Sequence, residues 1–349
     1  MLNFPFLNRT EELRRLRRLY QQPGKRLAVI YGRRRCGKSR LLLESLPEKT
    51  SIYFFCDERE AELQRHQLAV ALSAAIPGFD RVHYPDWDSL LERWYREAPT
   101  GWVLALDEFP NLVKASRELP SLLQKRLDTL ETGGPHLVLC GSSQRMMQGL
   151  VLDRKAALYG RSQEILRISP LPAGWLPEAF PGLSAIEHVE TYALWGGIPR
   201  YWELAADFPR WPEALQDLVL SPLGILHDEP HSLLQDDLAD TLQSSSLLQL
   251  IGQGCQRLSE LSARLAKPST SLNRPLQRLV ELDLIDRQKP FASLEKDTKR
   301  SHYRIADPFL RFWYRYVSPQ RSHLQSRRFA PVMATIQADF PHHVAGIWE

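Results

Sequence analysis

The 349-residue chain reads as an α/β protein: a mostly parallel sheet comes first, then a helical segment, then three short helices with a two-stranded ribbon. Three observations predict this. A glycine- and lysine-containing loop stands between a strand-like run and a run of helix formers; two adjacent carboxylates close a second uninterrupted apolar run; and after residue 170 closely spaced prolines end the strand-helix alternation.

Leu27-Ala28-Val29-Ile30-Tyr31 has the branched and aromatic content of a strand, and Arg40 to Leu46 has that of a helix. Between them, Gly32-Arg33-Arg34-Arg35-Cys36-Gly37-Lys38-Ser39 has the spacing of a complete phosphate-binding loop. Gly32 and Gly37 permit backbone angles that turn successive N–H groups inward around an anion, at the positive end of the following helix. The predicted nucleotide contacts are therefore Gly32, Arg33, Arg34, Arg35, Cys36, Gly37, Lys38, Ser39 and Arg40. Lys38 is expected to bridge the β- and γ-phosphates of ATP, and Ser39 to hold Mg²⁺.

Trp102-Val103-Leu104-Ala105-Leu106 is apolar throughout, as a strand buried on both faces requires, and it ends in Asp107-Glu108. Two adjacent carboxylates at a strand end call for a cation. Asp107 is the expected Mg²⁺ contact and Glu108 the expected base for the water that attacks the γ-phosphate. A small-molecule kinase excludes water, so Glu108 favours hydrolysis. A further run, Leu137 to Cys140, ends in Gly141-Ser142-Ser143. Ser142 or Ser143 either senses the γ-phosphate, holds the attacking water, or simply turns the chain.

The hydrophobic share of 43% and charged share of 25% are those of an ordinary globular protein, and the net charge of +4 selects no partner. The early arginines and lysines, Arg14 to Arg40, serve phosphate in part and otherwise form a solvated helix face. Cys36, Cys56, Cys140 and Cys255 lie far apart with no clustered histidines, so neither a zinc site nor a disulfide framework is expected. Cys36 lies in the loop, beside a helix N-terminus; the other three are placed in or beside apolar strands. No signal-peptide core or membrane-length apolar run is present, and a cytoplasmic setting without membrane contact is expected.

Along the chain, Asn8 is the expected N-cap of a first helix, with Glu11 reaching back and Leu13, Leu16 and Leu19 on one face, until Pro23-Gly24 breaks it. Other strands fall at Ile52–Phe55 and Ile165–Ile168, and helical stretches at Ala61–Ala75 and Leu119–Leu130. Pro170, Pro172, Pro177 and Pro181 mark a boundary. A helical segment then runs to Gln243, interrupted at Gly196-Gly197-Ile198-Pro199. Beyond Ser244, three short helices, the third over Ser269–Leu282, precede strands at Leu284–Arg287 and Ser301–Ile305, the pattern of a winged helix-turn-helix.

Together these motifs resemble the archaeal-type ATPase family, P-loop NTPases of the AAA-like group. The resemblance rests on Phe6 to Leu13, Tyr31 to Ser39, Leu106-Asp107-Glu108-Phe109, Leu139 to Ser143, Leu158-Tyr159-Gly160-Arg161, Gly196 to Tyr201 and Tyr303 to Phe309. It implies an ATPase core over 1–172, a helical lid over 173–243, a winged helix over 244–308 and a helical remnant over 309–349, with ATP and Mg²⁺ as cofactors. Many members carry a C-terminal restriction-endonuclease-like domain. The segment Phe340–Glu349 resembles the lead into it, so a truncated member that does not cut DNA is expected. The aromatics Phe309, Phe312, Trp313, Tyr314 and Tyr316 then need covering, by the ATPase core or by a partner.

The expected function is a Mg-dependent ATPase acting as a nucleotide-driven switch; the alternative is a DNA-binding regulator that uses ATP as a ligand. Arg161 either stabilises transition-state charge, in its own chain or a neighbouring subunit, or pairs with a carboxylate. Asn273, Arg274 and Arg278 on the third helix, with Lys296, Lys299 and Arg300 in the wing, are placed to meet duplex DNA, while Glu281, Asp283, Asp286, Glu295 and Asp297 dilute that field. A protein partner or self-association is the other use of such a module.

Overall fold

The computed structural model describes residues 4–128, 133–238, 240–288 and 301–348. The chain divides into two compact units, Asn8–Ser169 and Met1–Leu7 with Pro170–Glu349.

In the first unit, helix α1 (Thr10–Tyr20) leads to β1 (Leu27–Tyr31), α2 (Lys38–Ser45), β2 (Ser51–Phe55), α3 (Ala61–Leu72), α4 (Trp87–Glu97) and β3 (Val103–Asp107). Then follow α5 (Phe109–Ala115), α6 (Leu119–Leu127), β4 (His136–Gly141), α7 (Gln144–Val151) and β5 (Glu164–Arg167). The five strands form a sheet in the order β2-β3-β4-β1-β5, with all pairs parallel. Burial follows the sequence pattern. The continuous apolar runs β1, β3 and β4 are buried at every residue and fill the centre, while β2 and β5 alternate and take the edges. Trp87, Leu90, Leu91, Trp94 and Tyr95 give α4 an apolar stripe that packs into the same core, and Asp86 caps it by accepting from Ser89 N.

The expected cap of α1 is not made. Arg9, not Asn8, is the cap residue, with φ 93° and no side-chain cap bond, and Glu11 pairs with Arg14 instead. Asn8 Oδ1 accepts from Arg9 N at 2.9 Å, which props Arg9 in this left-handed conformation and sends its guanidinium toward the loop. Cys255 also departs from expectation, since it lies in the turn between two helices and not beside a strand.

The second unit is helical to residue 237: α8 (Leu176–Ala179), α9 (Ala185–Trp195), α10 (Pro199–Ala205), α11 (Trp211–Leu215), a π-helical turn over Gln216–Leu220, and α12 (Glu229–Asp237). The break at Gly196-Gly197 has a steric cause. A Cβ on Gly197 would stand 2.0 Å from the Leu171 carbonyl oxygen, and Leu171 N donates to Gly197 O at 2.6 Å. Next come α13 (Thr241–Gly252), α14 (Leu258–Leu265) and α15 (Ser269–Glu281), then β6 (Ile285–Gln288) paired antiparallel with β7 (His302–Ile305). An isolated antiparallel bridge also pairs Arg257 with His302 of β7. The ribbon's connection, with Glu295, Lys296, Asp297, Lys299 and Arg300, lies outside the described residues.

The chain ends in α16 (Pro308–Phe312), a π-helical turn over Trp313–Val317, α17 (Arg321–Gln325) and α18 (Phe329–Trp348). The aromatic cluster is covered within its own unit. Phe309 lies against Trp195 and Tyr201, Trp313 Nε1 donates to His227 O at 2.9 Å, and His343 from α18 meets Phe312 and Tyr316 edge-on. No helix among the described residues is long and apolar enough to cross a membrane.

His343 makes this unit pH-sensitive. Its Nε2 bonds Ala193 O at 3.0 Å among these rings, and burial pushes its pKa down to about 4, with Arg311 and Arg315 adding to the effect. The unfolded chain takes up a proton near the ordinary value of 6.5 while the folded chain does not. Stability should therefore fall as pH drops from about 6.5 toward 4, by up to about 1.4 kcal/mol per unit. His343→Gln should flatten that slope in denaturant titrations across this range; an unchanged slope would contradict it.

Candidate functional site

The loop emerges from the buried end of β1. Gly32 has φ 150°, and a Cβ on it would lie 2.3 Å from the Ile168 carbonyl oxygen, because Ile168 N continues the β5 pairing by donating to Tyr31 O at 2.7 Å. Gly32 is thus glycine for want of space. Gly37 is glycine for its backbone: φ is 85°, and a Cβ there would meet nothing within 4 Å. Arg35 also adopts positive φ, at 67°. The helix begins at Lys38, whose ammonium is buried, 5% exposed, and donates to the Arg33 carbonyl at 3.0 Å, with no carboxylate partner among the described residues. Arg33 and Cys36 are buried, Arg35 and Ser39 half-buried, and Arg34 and Arg40 exposed.

Two strands over, Asp107 is fully buried at the end of β3. Its Oδ2 accepts from the Tyr53 hydroxyl at 2.8 Å and its Oδ1 from Glu108 N at 3.0 Å. Glu108 is the cap residue of α5 with φ 53°, and its Oε2 accepts from both Ser142 N (3.1 Å) and Ser142 Oγ (2.9 Å). Ser142 follows β4, the strand between β1 and β3, where Tyr31 pairs with Gly141 and Leu106 with Leu139. The loop, Ser142 and the two carboxylates therefore leave the same sheet edge at one level, where parallel α/β sheets place ligands. Ser143 instead caps α7, accepting from Met146 N.

Sequence reading left out three residues that hold this arrangement. Arg9 donates to Cys36 O at 3.4 Å and Ser169 O at 2.6 Å, tying the loop to the segment after β5. Tyr53 fixes Asp107, and burial together with the Asp107 charge raises its own pKa. Asn111 Nδ2 donates to Cys56 O at 3.0 Å, linking α5 to the end of β2. Tyr53 carried a faint signal, as the one hydroxyl in an otherwise apolar run. For Arg9 and Asn111 the signal is tertiary. The same environment raises the Cys56 and Cys140 thiols, through burial first and Asp107 second.

For Mg²⁺ the local chemistry fits: Ser39 and Asp107 offer hard oxygen ligands, and Mg²⁺ takes one or two such groups together with phosphate oxygens and water. Asp107 is rigidly presented by Tyr53 and the Glu108 amide. Arg161 is engaged elsewhere. Its Nε and Nη2 each lie 2.7 Å from a carboxylate oxygen of Asp128, a bidentate pair, and its Nη1 donates to Tyr159 O. Of the third-helix residues, Asn273 and Arg274 are exposed on α15 and Arg278 is half-buried, bonded to Glu281 at 3.1 Å. They belong to the other unit.

The chain is similar to several known proteins. The profile of an ATPase domain predominantly from archaea matches residues 6–204. An uncharacterized protein of Methanocaldococcus jannaschii is 30% identical over 355 residues, covering 99% of this chain and 75% of that protein. Among solved structures, the Walker-type ATPase of Pyrococcus abyssi superposes with a TM-score of 0.63 at 22% identity, covering 88% of this chain and 95% of its own. The ORC2 protein of Aeropyrum pernix, in its ADPNP-ADP complexes, superposes with a TM-score of 0.58 at 14% identity, covering 93% and 96%.

Gly32→Ala tests the packing at the root of the loop. The new methyl and the Ile168 carbonyl cannot both keep their places, so β5 or the loop must shift, costing roughly 1–3 kcal/mol. Chemical denaturation should show the loss; a variant as stable as the parent would mean that the loop relaxes without strain.

Proposed function

Because the chain belongs to the family of ATPase domains found predominantly in archaea, we propose that it binds Mg·ATP in the 32–40 loop, hydrolyses it with Glu108, and uses the nucleotide state to switch its second unit. The observation that carries the reading is the buried Lys38 ammonium. A charge out of water and matched only by the Arg33 carbonyl is poorly compensated, and phosphate oxygens supply the missing counter-charge. Mg²⁺, when bound, would neutralise phosphate charge from the Ser39 and Asp107 side.

Glu108 has one oxygen fixed by the two Ser142 donors. Its Oε1 has no protein partner among the described residues and is the atom to take a proton from water. Ser142 is thus the residue that aims Glu108, and in this reading its hydroxyl would exchange that bond for one to the γ-phosphate or the attacking water. Arg161 stays with Asp128 in this scheme.

Steady-state hydrolysis with nucleotide calorimetry tests the proposal. Lys38→Ala should lose ATP binding. Glu108→Gln should keep it and lose turnover by about a hundredfold or more. A parent no faster than Glu108→Gln, with ATP binding still dependent on Lys38, would mean that ATP serves as a ligand without turnover.

The three-helix and ribbon module, with Asn273 and Arg274 exposed on α15, is proposed as the partner-binding part, meeting duplex DNA through phosphates. Its basic residues form no base-reading set, so affinity should fall steeply with salt and show little sequence preference. Arg274→Ala with Arg278→Ala should weaken a low-salt mobility shift severalfold; an unaffected shift would direct the module toward a protein partner.

A further inference from the structure

A polar cavity of about 430 Å³ lies within the second unit, far in sequence from the phosphate loop. The turn after α13, over residues 252–256, forms one wall; Arg304 near the end of β7 and Arg311 and Arg315 on the following helical segment form the other. None of its described lining residues is acidic. We propose that this cavity binds the terminal phosphate of a small phosphorylated molecule, and that Arg304 is the arginine that meets it.

Three guanidiniums around one concavity repel one another, and burial strengthens the repulsion. Two of them are built into the fold. Arg311 Nη1 donates to Gly346 O at 2.6 Å, and Arg315 Nη2 to Asp339 Oδ2 at 2.7 Å, with the Tyr316 hydroxyl on the same carboxylate oxygen. These bonds tie both arginines to α18 and so fix their positions without a ligand. Arg304 differs: it is half-buried and makes no hydrogen bond or ion pair among the described residues. Asp286, its cross-strand register partner, acts on it through charge, with no hydrogen bond joining the two.

Arginines at the C-terminal end of α13 would also complement its dipole. That accounts poorly for Arg304, which bonds none of the helix carbonyls. The turn's amides are spent internally, Gly254 N on Ile251 O and Cys255 N on Leu250 O, so anion recognition falls to side chains. Planar guanidinium forks suit phosphate oxygens. Gln253 and Gln256, exposed at the rim, offer carboxamides for the remainder of the molecule. The volume falls in the range of small-molecule sites, and a concave pocket suits a terminal phosphate better than the continuous backbone of a duplex.

Pyrophosphate is a suitable probe. The full chain carrying Lys38→Ala, which disables the phosphate loop, should bind one pyrophosphate in low-salt calorimetry. Adding Arg304→Ala should weaken that binding by about tenfold or more, and Arg304→Lys, which keeps the charge and loses the fork, by less. Arg304→Ala should leave the unfolding temperature near that of the parent. No binding in Lys38→Ala, or binding indifferent to Arg304→Ala, would overturn the site. In a competition arm a short DNA duplex should fail to displace pyrophosphate; displacement lost with Arg304→Ala would identify a nucleic-acid phosphate and overturn the small-molecule assignment.

Discussion

Everything at the candidate site depends on β4 lying between β1 and β3 in a parallel register that brings Tyr31, Gly141 and the end of β3 to one level. Sliding β4 by two residues would carry Ser142 about 7 Å along the strand axis, out of reach of Glu108. The register is reinforced by the absence of a side chain at Gly141, where a Cβ would stand 2.6 Å from Pro110 Cδ and 2.9 Å from Met147 Sδ. That closeness lets the first turn of α5 settle over the end of β4. Glu108 must then take φ 53° to turn from strand into helix. A left-handed non-glycine residue costs roughly 1–2 kcal/mol, which the two Ser142 bonds and the Asp107–Glu108 bond help to offset. Strain, register and glycine are one device that points a carboxylate.

Charge is the second constraint. Lys38 and Asp107 are both buried, yet the bonds described for them go to a carbonyl and to neutral donors rather than to an opposite charge. Cys140, in the intervening strand, lies in the fields of both: Asp107 pushes its thiol up and Lys38 pulls it down, with burial the larger influence. The two buried charges therefore flank β4 without being joined. In the proposed function a divalent cation would meet the carboxylate and a polyanion the ammonium, an arrangement that a direct salt bridge between the two would preclude. Keeping the neighbouring thiols protonated is a by-product, which makes Cys56 and Cys140 packing residues here.

Much of the first unit was legible in the sequence because its strands are buried on both faces, and continuous apolar runs with polar stops mark such strands and their ends together. The loop was legible for a different reason: Gly32, Gly37, Lys38 and Ser39 are constrained by backbone geometry and charge at fixed spacing. Position in space was not legible. Asn8 satisfies the local rules for a cap, but the Arg9 guanidinium, drawn to the Cys36 and Ser169 carbonyls, overrides it. Tyr53 is three strands away from the loop, and only the sheet order reveals that its hydroxyl holds Asp107. Arg161 satisfied a motif, while its bidentate pairing with Asp128 depends on a contact 33 residues away.

In the second unit, tertiary packing also decides how the segments after residue 240 behave. Gly252 closes α13 where a Cβ would stand 2.6 Å from Tyr314 Cβ, so the helical module and the terminal aromatic segment share a wall with no room for side-chain slack. Phe309, four residues beyond β7, stacks on Trp195 of α9 and meets Tyr201 of α10. The ribbon, the aromatic segment and the helices around the Gly196-Gly197 break are therefore mechanically continuous. A close-packed interior transmits displacement rather than absorbing it, so a shift imposed on α9 and α10 is felt at β7 through Phe309. The α13 turn and Arg304, at the other end of that route, stand where such a displacement would change the shape of the arginine-lined cavity.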